Sequence, residues 1–389
     1  MTGWLVDRAC VVAWWFGDES QQRVTPQLWH VRRCTHDAPI LTHSSHSRRR
    51  GRFTSSSAAM CEQESGTAKQ RIMGRVTPVP SERRESKGWP ELPSTWADTY
   101  VTLHMWTQIV GKVALAQAPP LNHCWSSALQ LTARGLTTRP LPHGDRTFTI
   151  EFDFAGHQLV VATSDGMQRS LPLAPKTVAA FHAELMTTLS DMRLPVRIWP
   201  MPVEIPNPVR FTDDTAHGSY NQEQVETFWR ILSQCERVFS RARCRFIGKA
   251  SPVHFFWGSF DLALTRFSGR PAPPREGPAF MRDAYSHEVI SHGFWPGSGT
   301  GTAFGPGPVD EPAFYAYAVP PPPGFEQIHV EPAGAFYHRE LGEFILPYRF
   351  VRGSASPERS LLAFIDSTYT HAADLAAWDR ASLERPAYT

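Results

Sequence analysis

The feature that most constrains the fold is a strictly alternating run at residues 147–154. Three phenylalanines and one isoleucine occupy every second position, and threonines and acids fill the positions between them. Alternation with a period of two predicts a strand with one buried face. Turn residues at 155–156 and 165–166 bracket a second strand-like segment at 158–163, and a third follows at 168–173. The region 147–173 therefore predicts an antiparallel three-stranded unit.

Helical periodicity predicts four longer helices around this unit. They cover residues 94–115, 177–192, 222–243 and 357–380. Further strands are predicted at 127–134, 196–199, 203–205, 253–267, 313–319, 335–338 and 343–346. The mixture of hairpins and helices predicts an α+β fold, with antiparallel or mixed sheets, packed helices and long Pro/Gly-rich loops.

Residues 1–88 differ in composition from the rest of the chain. Their net charge is +6, whereas residues 89–389 carry −4, and the overall +2 is the sum of the two. A tract rich in Ser, His and Arg at 43–59 predicts a disordered tail or a non-native upstream extension. A chain that begins near Gly88 is therefore expected to melt at the temperature of the whole protein. The mildly acidic body makes nucleic acid an unexpected partner.

The remaining chain divides at residues 207–221. We expect an α+β lobe at 89–206 and another at 207–386, or one continuous domain. No uninterrupted apolar run reaches about 18 residues, so no membrane span is expected. The body has three cysteines without paired spacing, which argues against a disulfide framework and favours the cytoplasm.

Asp261 is the most informative single residue. It lies within the predicted strand 253–267, which is apolar on both faces and therefore typical of a central strand. A carboxylate in such a strand must be paired or hydrogen-bonded. Ser259 would share its face, and Arg266 would lie on the other. Asp261 is then either a buried acid in a pocket or a structural hydrogen-bond anchor.

Histidines and tyrosines in neighbouring predicted strands extend this candidate site. If they converge, they could perform acid–base chemistry; if they do not, a role in the core or in an interface follows. The catalytic candidates are Asp261, His254, His287, His292 and His338. The ligand-binding candidates are Tyr315, Tyr317, Trp257 and Arg266.

The segment 286–292 (SHEVISH) invites a zinc-protease interpretation. That motif needs two histidines four residues apart on a helix, but His287 and His292 are five apart. On a strand they would point to opposite faces. The motif therefore fails, and no metal ligand set or cofactor is predicted, although a long-range metal site with His338 or His254 stays open.

Four blocks of the body carry a resemblance. They are LHMWTQIVGK at 103–112, IWPMPVEIP at 198–206, PVHFFWGSFD at 252–261 and YSHEVISHGFWPG at 285–297. The chain resembles a bacterial family of unknown function, DUF5996, over about residues 89–386. The resemblance implies no activity, cofactor or catalytic residue. Residues 1–88 and an insertion near 298–305 fall outside the family pattern.

Two classes of function stay open. One is a cytosolic enzyme or small-molecule-binding protein with a pocket of His, Asp and Tyr side chains. The other is a non-catalytic interaction or oligomerisation protein whose aromatic blocks form a core or an interface. The first class requires Asp261 and the histidines to share one concave pocket. The oligomeric state is not specified by the sequence.

Overall fold

The computed structural model describes residues 88–205, 207–276, 279–297 and 309–385, with side chains except at 279–281. The predictions for residues 1–87, including the disordered tail, lie outside the described residues. So does the centre of the Gly/Pro-rich loop at 298–308.

The first sheet contains the alternating segment. In the described part of the chain its six antiparallel strands are β1 (Gln130–Leu131), β2 (Gly135–Thr137), β3 (Leu141–His143), β4 (Arg146–Asp153), β5 (Gln158–Thr163) and β6 (Gln168–Pro172). Their order is β1-β2-β4-β5-β6, and β3 pairs with β4. Phe148, Ile150 and Phe152 of β4 are buried. The predicted three-stranded unit is therefore confirmed as β4-β5-β6.

Two helices, α1 (Ala97–Gln117) and α2 (Val178–Asp191), pack with the phenylalanine face of this sheet. Trp106 of α1 stacks on Phe181 of α2 with ring centroids 4.6 Å apart. Phe181 in turn stacks on Phe152 at 6.4 Å. α1 is buried on all its faces over most of its length, so it belongs to the centre of the fold.

The second sheet is also antiparallel. Its six described strands are β7 (His254–Phe256), β8 (Asp261–Pro271), β9 (His287–Trp295), β10 (Ala313–Val319), β11 (Phe336–His338) and β12 (Glu343–Pro347), in the order β11-β12-β10-β9-β8-β7. The other described helices are α3 (Gln222–Arg243), α4 (Ala279–Ala284), α5 (Tyr348–Arg352), α6 (Pro357–Leu375) and α7 (Arg380–Leu383). Seven helices and two antiparallel sheets in the described residues confirm the α+β prediction.

Side chains alternate between the two faces of this second sheet. Even-numbered side chains of β8 and β9 meet α3 and α6: Arg266 donates to the carbonyl of Ala242, and His292 contacts Thr368. Odd-numbered side chains point to the opposite face. That opposite face carries the candidate site.

The prediction of one long strand at 253–267 is wrong, because the chain turns at residues 257–260. β7 and β8 form a hairpin in which Phe256 pairs with Asp261. Phe260 in the turn has a φ of +57°. Its ring packs on those of Phe228 and Tyr100, and this burial holds the left-handed backbone. Asp261 thus lies at the start of β8, beside the turn, and not in mid-strand.

Three other boundaries need correction. Residues 196–199 and 203–205 form no strand, because Pro200 and Pro202 lack backbone donors and Gln108 binds the backbone of Val203. Within 127–134 only a two-residue strand forms. The last long helix ends at Leu375, and α7 follows separately.

One hydrophobic core joins the two sheets, and its members include Trp106, Ile150, Phe228 and Leu264. The division into lobes at 89–206 and 207–386 stays a prediction. Over the described ranges, no helix combines the length and the apolar character that crossing a bilayer requires.

Candidate functional site

The open face of the second sheet carries a cavity of about 180 Å³. The 3₁₀ turn Asn122–Cys124 and the residues that follow α4 line one side, and the turn between β7 and β8 lines another. We call this cavity the acid pocket. Its floor comes from three neighbouring strands and consists of Asp261, Ala263, Thr265, Ser291, Tyr315 and Tyr317.

A glycine in the middle of this floor makes room for a tyrosine. Gly293 of β9 lies between Ala263 of β8 and Tyr315 of β10 in the strand register. A Cβ atom at position 293 would be 2.1 Å from the Tyr315 ring. The absence of a side chain therefore lets Tyr315 cross β9 and reach Asp261 on β8.

The carboxylate of Asp261 is 4% exposed and accepts hydrogen bonds from two hydroxyls. Ser259 Oγ donates to Oδ1, and Tyr315 Oη donates to Oδ2. These donors stabilise the buried charge.

A second carboxylate, that of Glu204, lies at the same end of the pocket. Its Oε1 would be 3.0 Å from a Cβ atom at Gly258, in the turn that precedes Asp261. Burial raises the pKa of the Tyr100 hydroxyl, and the charges of Asp261 and Glu204 raise it further. Both carboxylates therefore lie near one buried hydroxyl, and this end of the pocket is acidic.

Helix α1 positions the two loops that carry these acids. His104 Nε2 donates to the carbonyl oxygens of Trp257 and Gly258, at 3.0 and 2.9 Å. One helical turn later, Gln108 Nε2 donates to the carbonyl of Val203 at 2.8 Å, and Gln108 Oε1 accepts from its N–H at 2.7 Å. Residues four apart lie on the same helix face. One face of α1 thus holds both loops.

The far end of the pocket, six residues along β8 from Asp261, has an internal cation. His123 Nδ1 donates to a backbone carbonyl at 3.1 Å, so its Nε2 accepts from Lys249 Nζ at 2.6 Å. The same Nζ lies 4.8 Å from the ring centroid of Phe267 and 5.6 Å from that of Trp125. Both rings line the pocket. Its aromatic wall therefore already contacts an ammonium group.

All of the structural elements described so far lie within one region of the chain that matches a sequence family. The model of a family of unknown function (DUF5996) matches residues 89–385. The chain belongs to this family. No curated protein and no solved structure matches the chain. The DUF5996 match confirms the resemblance seen in the four sequence blocks, and it contains both sheets and the whole acid pocket.

Four predicted site residues of this DUF5996 chain meet in the acid pocket: Asp261, Tyr315, Tyr317 and Trp257. Trp257 Nε1 donates to the carbonyl of Ser127 at 2.9 Å, which fixes the indole in the wall. None of the four predicted histidines is among the lining residues. The expected pocket shared by Asp261 and these histidines is therefore a wrong prediction.

His292 and Arg266 lie on the opposite face of the sheet, which is the physical reason for this correction. His292 contacts Thr368 Oγ1 at 2.8 Å, and burial holds its pKa well below the ordinary value. The Arg266 guanidinium lies 4.4 Å from the ring centroid of Tyr369. Both side chains pack against helices and cannot reach a ligand beside Asp261.

The other three histidines are separated from the pocket in different ways. His254 is on the pocket face but fully buried, with its ring 6.1 Å from that of Trp125, and both its ring nitrogens lack a hydrogen-bond partner among the described residues. His287 lies outside the wall, 5.7 Å from the ring of His123. His338 is on β11, at the far edge of the sheet.

Glu204 and His123 are among the lining residues that were not predicted as site residues. Glu204 is the only acid in the apolar, proline-bounded block at 198–206, and the reasoning used for Asp261 applies to it. His123 has no comparable sequence signal. No group of three or more His, Cys, Asp and Glu side chains in the described ranges is arranged to hold a metal ion.

Proposed function

We propose that the chain is a small-molecule-binding protein whose ligand is a small organic cation held in the acid pocket. The observation that carries the proposal is the buried Asp261 carboxylate, organised by Ser259 and Tyr315 at the base of an aromatic-walled cavity. The charge, the walls and the size of the pocket each support it.

The charge of the lining selects a cation. Asp261 and Glu204 are its two acidic side chains, and no lysine or arginine occurs among the lining residues within the described ranges. An ammonium ligand would form a charge-assisted hydrogen bond with a partly desolvated carboxylate. A carboxylate ligand would instead be repelled from this end.

The walls are suited to the same ligand. Trp125, Trp257, Phe256 and Phe267 line the cavity, and the faces of aromatic rings attract cations. The ammonium of Lys249 over Phe267 and Trp125 is an example of this attraction within the protein itself.

The size limits the ligand to a small molecule. The cavity of about 180 Å³ is slightly larger than the roughly 150 Å³ that accommodates benzene in another protein. A ligand of about six to ten heavy atoms therefore fits.

The side chains of the pocket favour binding over nucleophilic catalysis. Burial raises the pKa of the Cys124 thiol to about 11, which keeps it protonated at neutral pH. Ser259 donates a hydrogen bond to Asp261 and has no histidine base beside it among its described contacts.

The proposal is tested with n-pentylamine and its neutral isostere 1-pentanol, titrated into the protein at pH 7 and followed by isothermal titration calorimetry. The amine is expected to bind at least about tenfold more tightly, because a hydrogen bond to a charged group contributes about 1.5–3 kcal/mol. Asp261→Asn is expected to remove this preference.

Two further variants keep the test conclusive. Glu204→Gln, in the pocket, is expected to reduce the preference even if Asp261→Asn folds poorly. Asp366→Asn, at an exposed acid that pairs with Arg245 outside the pocket, is the matched control and should retain it. Equal binding of amine and alcohol by the wild type, or an unchanged preference in Asp261→Asn, would overturn the proposal.

A further inference from the structure

A row of hydroxyl groups crosses the floor of the acid pocket, next to the acidic end. Thr265, Ser291 and Tyr317 are register partners on β8, β9 and β10. Thr265 Oγ1 and Ser291 Oγ are 2.9 Å apart. Tyr285 Oη lies 3.4 Å from Tyr317 Oη. We call these four residues the hydroxyl row.

The hydroxyl row has more hydrogen-bonding capacity than the links among its own members use. Each hydroxyl oxygen carries two lone pairs, so the Thr265–Ser291 and Tyr285–Tyr317 links occupy at most two of the eight lone pairs. All four side chains line the cavity, and Ser291 is 1% exposed. Buried hydroxyls on a cavity floor favour a polar group of a ligand over an alkyl group.

Two stacked tyrosines connect this row with the acid. Tyr315, which donates to Asp261, stacks on Tyr317 of the hydroxyl row with ring centroids 6.0 Å apart. A ligand that lies along these two rings can therefore contact both features.

We infer that the ligand is an amino alcohol, or an amine with an equivalent uncharged polar group, whose hydroxyl meets the hydroxyl row while its ammonium meets Asp261. This inference rests on the proposed function and names the second half of the ligand. Thr265 and Ser291 are then specificity-determining residues, because they distinguish a hydroxylated amine from an alkylamine of the same size.

The test compares 4-amino-1-butanol with n-pentylamine, which has a methyl group in place of the hydroxyl. Wild-type protein is expected to bind the amino alcohol about fivefold more tightly. In Thr265→Val and in Ser291→Ala the order is expected to reverse, because the hydroxyl then meets an apolar surface.

Thr149→Val, on β4 of the other sheet, is the matched control and should keep the preference of the wild type. If n-pentylamine binds in preference to 1-pentanol but the amino alcohol has no advantage, the hydroxyl-row inference is wrong and the cation proposal stands. The hydroxyl-row inference is also wrong if Thr265→Val and Ser291→Ala both leave the advantage unchanged. If n-pentylamine shows no preference over 1-pentanol, both proposals are wrong.

Discussion

Replacement of Gln108 by leucine is expected to destabilise the protein strongly, because one buried side chain satisfies two backbone groups of a segment without secondary structure. Val203 is 1% exposed, and its N–H and carbonyl both bind the Gln108 amide, at 2.7 and 2.8 Å. Leucine has about the volume of glutamine but cannot form hydrogen bonds, so the N–H and the carbonyl of Val203 both lose their partners. A buried polar group without a partner costs about 1–3 kcal/mol, so Gln108→Leu should lose about 2–6 kcal/mol of unfolding free energy.

Urea unfolding at pH 7 measures this loss. Gln222→Leu, at the exposed first position of α3, is the matched control and should stay within about 0.5 kcal/mol of the wild type. In conditions where Gln108→Leu is folded, its n-pentylamine affinity should also fall, because Glu204 follows Val203 in the released loop. A loss of stability below about 1 kcal/mol would show that Gln108 does not hold this loop.

Three further predictions test the faces of the second sheet. Gly293→Ala should cost about 1–3 kcal/mol in urea unfolding and weaken n-pentylamine binding, because a methyl group displaces the Tyr315 ring. Burial and, to a smaller extent, nearby arginines lower the pKa of His254 to about 4. As the pH falls below about 6.5, His254 therefore takes up a proton in the unfolded chain but not in the folded chain. The wild type should thereby lose about 2.5 kcal/mol of unfolding free energy between pH 7 and pH 4.5. The His254→Leu variant should not show this loss. The control variant His329→Leu, at an exposed histidine, should show the same loss as the wild type. Arg266→Met should lower the melting temperature yet leave n-pentylamine affinity within about twofold, and a large loss of affinity would contradict its placement on the helix-covered face.

The elements with strong periodicity were predictable from the sequence. The predicted helix at 222–243 and strands at 158–163 and 313–319 match the observed bounds, because each has a single apolar face or clear turn residues beside it. The hairpin inside 253–267 was missed. Its turn contains Gly258 and Ser259, a dipeptide that favours hairpin turns, but the flanking Trp257 and Phe260 are apolar and gave the segment the appearance of one continuous strand.

The candidate site was predictable in its residue types more than in its geometry. The burial of Asp261 and the shared face of Tyr315 and Tyr317 followed from alternation. The histidines did not converge, because a one-residue difference decides the face: Ser291 lines the pocket and His292 packs under a helix. The role of Glu204 depends on contacts with residues far away in the chain, which no local pattern encodes.

The most direct test of the central claim is a crystal structure of the chain with n-pentylamine bound. The amine nitrogen is expected within about 3 Å of a carboxylate oxygen of Asp261, with the alkyl chain along the aromatic wall. An amine found at another site, or an acid pocket without amine at a concentration that saturates binding in solution, would contradict it.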